Sequence, residues 1–165
     1  MLKFGNVIGP AIGVVALLVA PPSVALEKQQ PTVQISKRPA ADKKQHRLVL
    51  QVNTNEPAMM NLVLNNATNV AEYYRDVGEK VIIEVVTFGP GLHMLRDDTS
   101  PVKARIKAIA ASTPTISFKA CGNTQQNMSK VENKEIPIIS EATVVKSGVV
   151  RVMELQEQGW TYVKP

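Results

Sequence analysis

The sequence predicts one α/β domain built on a mainly parallel sheet, with an N-terminal leader and linker ahead of it. Three observations carry that prediction. "KVIIEVVTF" at 80–88 is a nearly unbroken β-branched run, as expected of a strand covered on both faces of a parallel sheet. Short apolar runs of this kind alternate with helical stripes all along residues 47–165, which is the rhythm of βαβ units. That body is about 118 residues long, enough for one domain with its own core. Right-handed crossovers then put helices on both faces of the sheet.

The elements follow in order. "RLVLQV" (47–52) is apolar and β-rich, and "NTNEP" after it is a turn cluster that starts a helix at Pro57. Met60, Leu64, Ala67 and Ala71, flanked by Met59, Val63 and Val70, form a stripe of period near 3.6 that Gly78 closes. After the strand at 80–88, "GPG" (89–91) opens a short helix "LHMLRDD". "SPVKARIKAIAAS" places Ser100 as N-cap and Pro101 at the first helical position. "TISFKA" (115–120) reads as a third strand and "CGNTQQNMSKV" as a third helical segment. "ATVV" (142–145) is a fourth strand, "GVVRVMELQEQG" (148–159) a helix, and "WTYVKP" an edge strand.

The first 25 residues have a different character. Lys3 precedes the apolar run "VIGPAIGVVALLVA", and Ser23-Val24-Ala25 makes a small-x-small site, the layout of a secretory signal peptide. The run of 14 residues is shorter than the roughly 20 of a membrane span, and an uncleaved anchor is the alternative. Residues 26–46 are polar, proline-containing and basic, and read as a flexible linker. The expected location is therefore the periplasm, or the inner membrane if the leader stays on.

Charge excludes one class of function. The chain carries a net charge of +5, but residues 48–165 hold twelve basic and twelve acidic side chains. The surplus belongs to the leader and linker, so the body lacks the basic face of a nucleic-acid binder.

Parallel sheets bind ligands beyond the carboxyl ends of their strands. The loops Asn53–Glu56, Gly89–Gly91 and Cys121–Thr124 all occupy that rim, and they adjoin one another if the strand order is 2-1-3. Cys121 is the single cysteine, so no intramolecular disulfide forms. At a strand-to-helix junction its sulfur faces free N–H groups and the positive helix end, which favours the nucleophilic thiolate. The competing reading is a small packed hydrophobe. Gly122 allows a tight turn or close approach to a ligand, and Asn53 and Asn123 offer polar contacts, as do Asn55, Asn65 and Asn66. His93, in the first turn after "GPG", is a second candidate, as a base or as a donor to a sulfur species. "GPG" is neither a P-loop nor a dinucleotide fingerprint, so no cofactor is expected. With two histidines and one cysteine in the chain, no metal site is expected either.

With these pieces placed, the chain resembles the DsrE/DsrF-like family, in its exported branch. The residues that carry the resemblance are "LVLQVN" (48–53), "NLVLNNATN" (61–69), "IEVVTFGPGLHML" (83–95), "FKACGNT" (118–124) and "VVKSGVVRVMELQEQGWTYVKP" (144–165). The resemblance implies a three-layer, flavodoxin-like domain with a five-stranded sheet, assembled as an oligomer. It also implies persulfide sulfur carried on the cysteine that corresponds to Cys121, between a donor and an acceptor protein. His93 rests on placement alone. Two further readings stand beside it: a non-catalytic oligomeric module that binds a small ligand or partner, with Cys121 packed, and a scaffold tethered by its leader.

Overall fold

The computed structural model describes residues 45–165, and the leader and most of the linker lie outside them. Five strands and four α-helices alternate: β1 (Gln45–Val52), α1 (Pro57–Asp76), β2 (Lys80–Thr87), a 3-10 helix (Gly89–Leu95), α2 (Lys103–Ser112), β3 (Ile116–Cys121), α3 (Gly122–Glu132), β4 (Ala142–Val145), α4 (Gly148–Glu157) and β5 (Thr161–Val163). All four strand pairings are parallel. The domain is a three-layer, flavodoxin-like α/β sandwich.

The strand order is β4-β3-β2-β1-β5. This corrects the order 2-1-3 on which the expected rim depended: β2, not β1, is the central strand. The run from β1 to β4 advances in one direction, so right-handed crossovers lay α1, α2 and α3 on one face. The return from β4 to β5 reverses direction, and α4 falls on the other.

Side-chain alternation divides the core accordingly. Leu48, Leu50 and Val52 of β1, with Ile83, Val85 and Phe118, join Met60, Val63, Leu64, Ala67 and Ala71 of α1 in the main cluster. Each fully buried Val, Leu, Ile, Met or Phe side chain among them contributes about 1.5–3 kcal/mol. On the second face Val49 and Val86 meet Val152 and Leu155 of α4, with Phe88, Trp160 and Tyr162 around them. One helix cannot cover five strands, so β2 is not covered on both faces throughout: Ile82 remains 37 % exposed. Glu84, buried in the middle of that face, is held bidentately by Arg151 of α4 at 2.6 and 3.0 Å.

Helix ends follow the sequence signals at α1 and α4 but not between them: Gly89–Gly91 lies inside the 3-10 helix, which ends at Leu95 instead of running through Asp98, and Pro101 lies ahead of α2. Pro57 stands at the start of α1, and Gly78 and Gly159, at φ +72° and +80°, follow the ends of α1 and α4. Ser100 is not the N-cap of α2. Its hydroxyl donates to the Met94 carbonyl at 2.6 Å and accepts the Val102 N–H at 3.3 Å, which makes a turn and delays the helix to Lys103. Past the 3-10 helix, Arg96 is 1 % exposed and clamps Asp98 and Glu132, joining the segment at 95–98 to the end of α3.

Candidate functional site

In an open α/β sheet the crevice opens where neighbouring strands send their helices to opposite faces. Here that place is between β3 and β4: α3 leaves β3 on one face, and α4 leaves β4 on the other. Cys121 is the last residue of β3, paired with Val145 at the end of β4. It is also the residue at which α3 begins, with extended backbone at φ −73° and ψ 114°.

Two glycines let the surrounding backbones close on it. A Cβ on Gly122 would lie 3.1 Å from the Val145 carbonyl oxygen, so its lack of a side chain lets α3 start against β4. A Cβ on Gly148 would lie 2.9 Å from Phe88 Cδ1 and 3.2 Å from Cys121 Cβ. The first turn of α4 therefore packs directly on the cysteine. Gly122 thus serves the packing of α3 against β4.

Cys121 as a residue is 4 % exposed. Burial pushes its pKa up; the Thr124 hydroxyl and then the N–H groups of Gly148, Thr124 and Asn123 outweigh this together, and the net direction is down. Cys121 makes no close side-chain capping bond to α3. The pull thus comes from several weak contacts converging from two helix N-termini, not from one strong bond. The Asn123 N–H also donates to the Lys146 carbonyl at 3.1 Å.

Gly89 joins this group indirectly. At φ +53° its backbone takes a left-handed conformation, and its N–H donates to Thr124 Oγ1 at 3.0 Å. Gly91 serves the backbone instead, since a Cβ there would fall 2.2 Å from the Val52 carbonyl oxygen and 2.8 Å from the Asn53 nitrogen. It lets the turn after β2 press on the end of β1, with the half-buried Asn53 beneath it. His93 Nδ1 is engaged with Thr99 Oγ1 at 2.8 Å. It is not among the groups that set the cysteine's pKa. Asn65 is committed to Arg105 on the outside of α1.

The structure thus gathers Cys121, Gly122, Asn123 and Gly89 into one site and leaves His93 and Gly91 in other duties. Thr124 and Gly148 were missed. Thr124 stands three residues into the helix from the cysteine, the spacing at which a cap side chain and its partner meet. Gly148 follows "KS" at the start of a helical pattern, yet only the strand order shows that it reaches Cys121.

An open cleft of about 530 Å³ adjoins the junction, lined by Asn123, Val145, Lys146, Ser147, Val150, Arg151 and Glu154. A second groove, of about 460 Å³, lies between α1 and β5, lined by Leu48, Leu50, Val70, Tyr73 and Val163 among others. Neither lining includes Cys121, but the first cleft lies beside it, at Asn123 and at Val145, its pairing partner in β4. Among the described residues no cluster of His, Cys, Asp and Glu can hold a metal, and no helix is long and apolar enough to cross a membrane.

The site and fold together define an α/β domain with a lone thiol at its switch point. No family model and no curated protein matches the chain. It is similar to a solved structure, the protein of unknown function MTH1491 from Methanobacterium thermoautotrophicum, at 26 % identity and a TM-score of 0.62. The match covers 73 % of this chain and 99 % of that one.

Proposed function

We propose that this chain is an exported DsrE/DsrF-like protein that handles sulfur through Cys121. One observation carries the reading: the sulfur stands at the topological switch point between two helix N-termini, and its pKa is lowered despite burial. The step is a sulfur transfer without net oxidation. The Cys121 thiolate attacks the outer sulfur of a persulfide R–S–SH, a new S–S bond forms at Sγ, the donor's own S–S bond breaks, and the thiolate R–S⁻ leaves. The product is Cys121–S–SH, which passes its outer sulfur to an acceptor thiolate by the same exchange.

The test is intact mass after exposure of the folded protein to a persulfide donor. We expect a gain of about 32 Da, one sulfur atom, that is absent in Cys121→Ser. The 4 % exposure favours the alternative, a non-catalytic binding module with a packed cysteine. That alternative predicts a thiol that resists both persulfide and iodoacetamide from about pH 6 to 9 until the protein is denatured.

Two parts of the proposal concern setting. A homo-oligomer is supported by the outer side of α4, where Val149, Val150 and Met153 are 53, 46 and 55 % exposed. The three-residue edge strand β5 supports it too. Sedimentation as a monomer at micromolar concentration would count against it. Export rests on the leader, and N-terminal sequencing of the native protein should find a start near Leu26.

A further inference from the structure

We propose that the groove between α1 and β5 seats the outer side of α4 from a second copy of this chain. The inference rests on the homo-oligomer reading and names the two faces that meet. The groove is a helix position left open in the outer layer. α1 packs on β1 and β2, and among the described residues no helix lies over β5 on that face. Leu48 and Leu50 floor the groove, with Val70 and Tyr73 on the α1 side and Val163 on the β5 side. Tyr73 and Val163 are left 54 and 41 % exposed. α4 carries the matching face. Val149, Val150 and Met153 form one apolar stripe turned away from Val152 and Leu155, which pack on the sheet. An amphipathic helix seated in an apolar groove by residues at this spacing is a recurring mode of association. Length agrees: Asn66 to Tyr74, the stretch of α1 that lines the groove, rises about 12 Å, and α4 about 15 Å. Charge agrees as well. Glu154 and Glu157 border the stripe, Arg151 is the single cation of α4 and is turned to Glu84, and the groove's lining includes Arg47 and no carboxylate. The two faces lie on opposite sides of the sheet, so one copy gives α4 and receives α4 at once, and the contact repeats until a ring closes. Val150 and Glu154 also line the cleft beside Cys121, so the neighbouring copy adds a wall to that cleft.

The test is sedimentation velocity of the native chain at micromolar concentration, with Met153→Glu to disable α4 and Val163→Glu to disable the groove. Both positions are exposed within one copy, so neither charge is buried on folding, and thermal midpoints matching wild type check this. Asn69→Glu, at an exposed position on the α1 side, repeats the groove arm on a second element. We expect each variant alone to associate about 100-fold more weakly and to sediment as a monomer, because an unpartnered carboxylate is taken out of water at the contact. An equimolar mixture of Met153→Glu and Val163→Glu should recover a heterodimer, since the first keeps an intact groove and the second an intact α4. A mixture that stays monomeric while each variant alone is a monomer would mean that like faces pair, and would overturn the inference. So would a wild-type oligomer that Val163→Glu and Asn69→Glu leave unchanged; the homo-oligomer reading would survive both results. A wild type that is itself monomeric would leave the groove to the linker or to another molecule, and would remove the inference and that reading together.

Discussion

Gly148 is where the fold and the candidate chemistry can be perturbed together. Its backbone is not left-handed, so alanine is conformationally allowed, but at the first position of α4 the helix-interior gain of about 1 kcal/mol that alanine has over glycine applies only in part. Space opposes that gain. The added Cβ would meet Phe88 Cδ1 at 2.9 Å, Phe88 Cβ at 3.0 Å and Cys121 Cβ at 3.2 Å. The ring edge can rotate away, but the two Cβ atoms are fixed by β2 and β3, and so α4 must lift by a few tenths of an ångström. Overpacking of this kind costs about 1–3 kcal/mol, which the partial helix gain reduces without cancelling. The lift also carries the Gly148 N–H away from the sulfur, and that N–H is the strongest backbone contribution to the lowered pKa. Gly148→Ala should therefore lower the guanidinium chloride midpoint and move the alkylation profile toward alkaline pH. Unchanged stability would show that α4 does not bear on Cys121 as closely as the geometry states. A stability loss with an unmoved profile would remove Gly148 from the thiolate's surroundings.

Gly91→Ala should cost about 3 kcal/mol or more, because a Cβ 2.2 Å from the Val52 carbonyl meets backbone that cannot turn aside. Gly78→Ala is its control: nothing lies within 4 Å, only the φ of +72° is strained, and chemical denaturation should show a loss of about 1 kcal/mol. If the two variants lose equally, the close approach is not what Gly91 provides. Glu132 is held down to about 2 by Arg96, below an unfolded value of 4.5. Its folded pKa is the lower, so its stabilisation is complete above 4.5 and lost as pH falls toward about 2. Glu132→Gln should accordingly flatten the acid limb of a stability–pH curve, and an unchanged limb would refute the coupling. Arg151→Ala leaves Glu84 buried without its partner, and should cost about 3 kcal/mol by denaturant titration.

Much of this fold was legible because local physics decides it. Proline at the start of α1 and glycines after α1 and α4 are backbone requirements, and the β-branched runs could pack only as strands. Ser100 misled because its hydroxyl had a tertiary acceptor, the Met94 carbonyl, in preference to a capping role. Coverage of β2 was overread for a related reason: a continuous apolar run does not reveal that a single helix lies over the second face, leaving Ile82 partly in water. At the site, Cys121 was legible from its place at a strand-to-helix junction. Its neighbours from distant segments were not, since nothing local to "KSG" or "GPG" says which strand lies beside which.

The position of the thiol follows from topology rather than from any local motif. A chain that kept advancing past β4 would have laid its next helix on the face of α1–α3, and Cys121 would have had one helix N-terminus beside it. The reversal that sends β5 back to β1 moves α4 to the opposite face, and β4 pairs with β3 through Val145 opposite Cys121. The two helices therefore diverge around the sulfur with their N–H ends both turned to it. The same linkage gives a last prediction. Because the folded thiol's pKa is lowered, the thiolate stabilises the fold at pH above the unfolded thiol's value, and that contribution is lost as pH falls through the folded one. The stability of wild type relative to Cys121→Ser should rise with pH across that interval and then level off. A difference independent of pH from about 6 to 10 would mean that the two helix ends do not favour the charged sulfur. Cys121 would then be a packed side chain, and the switch point would carry no chemistry through it.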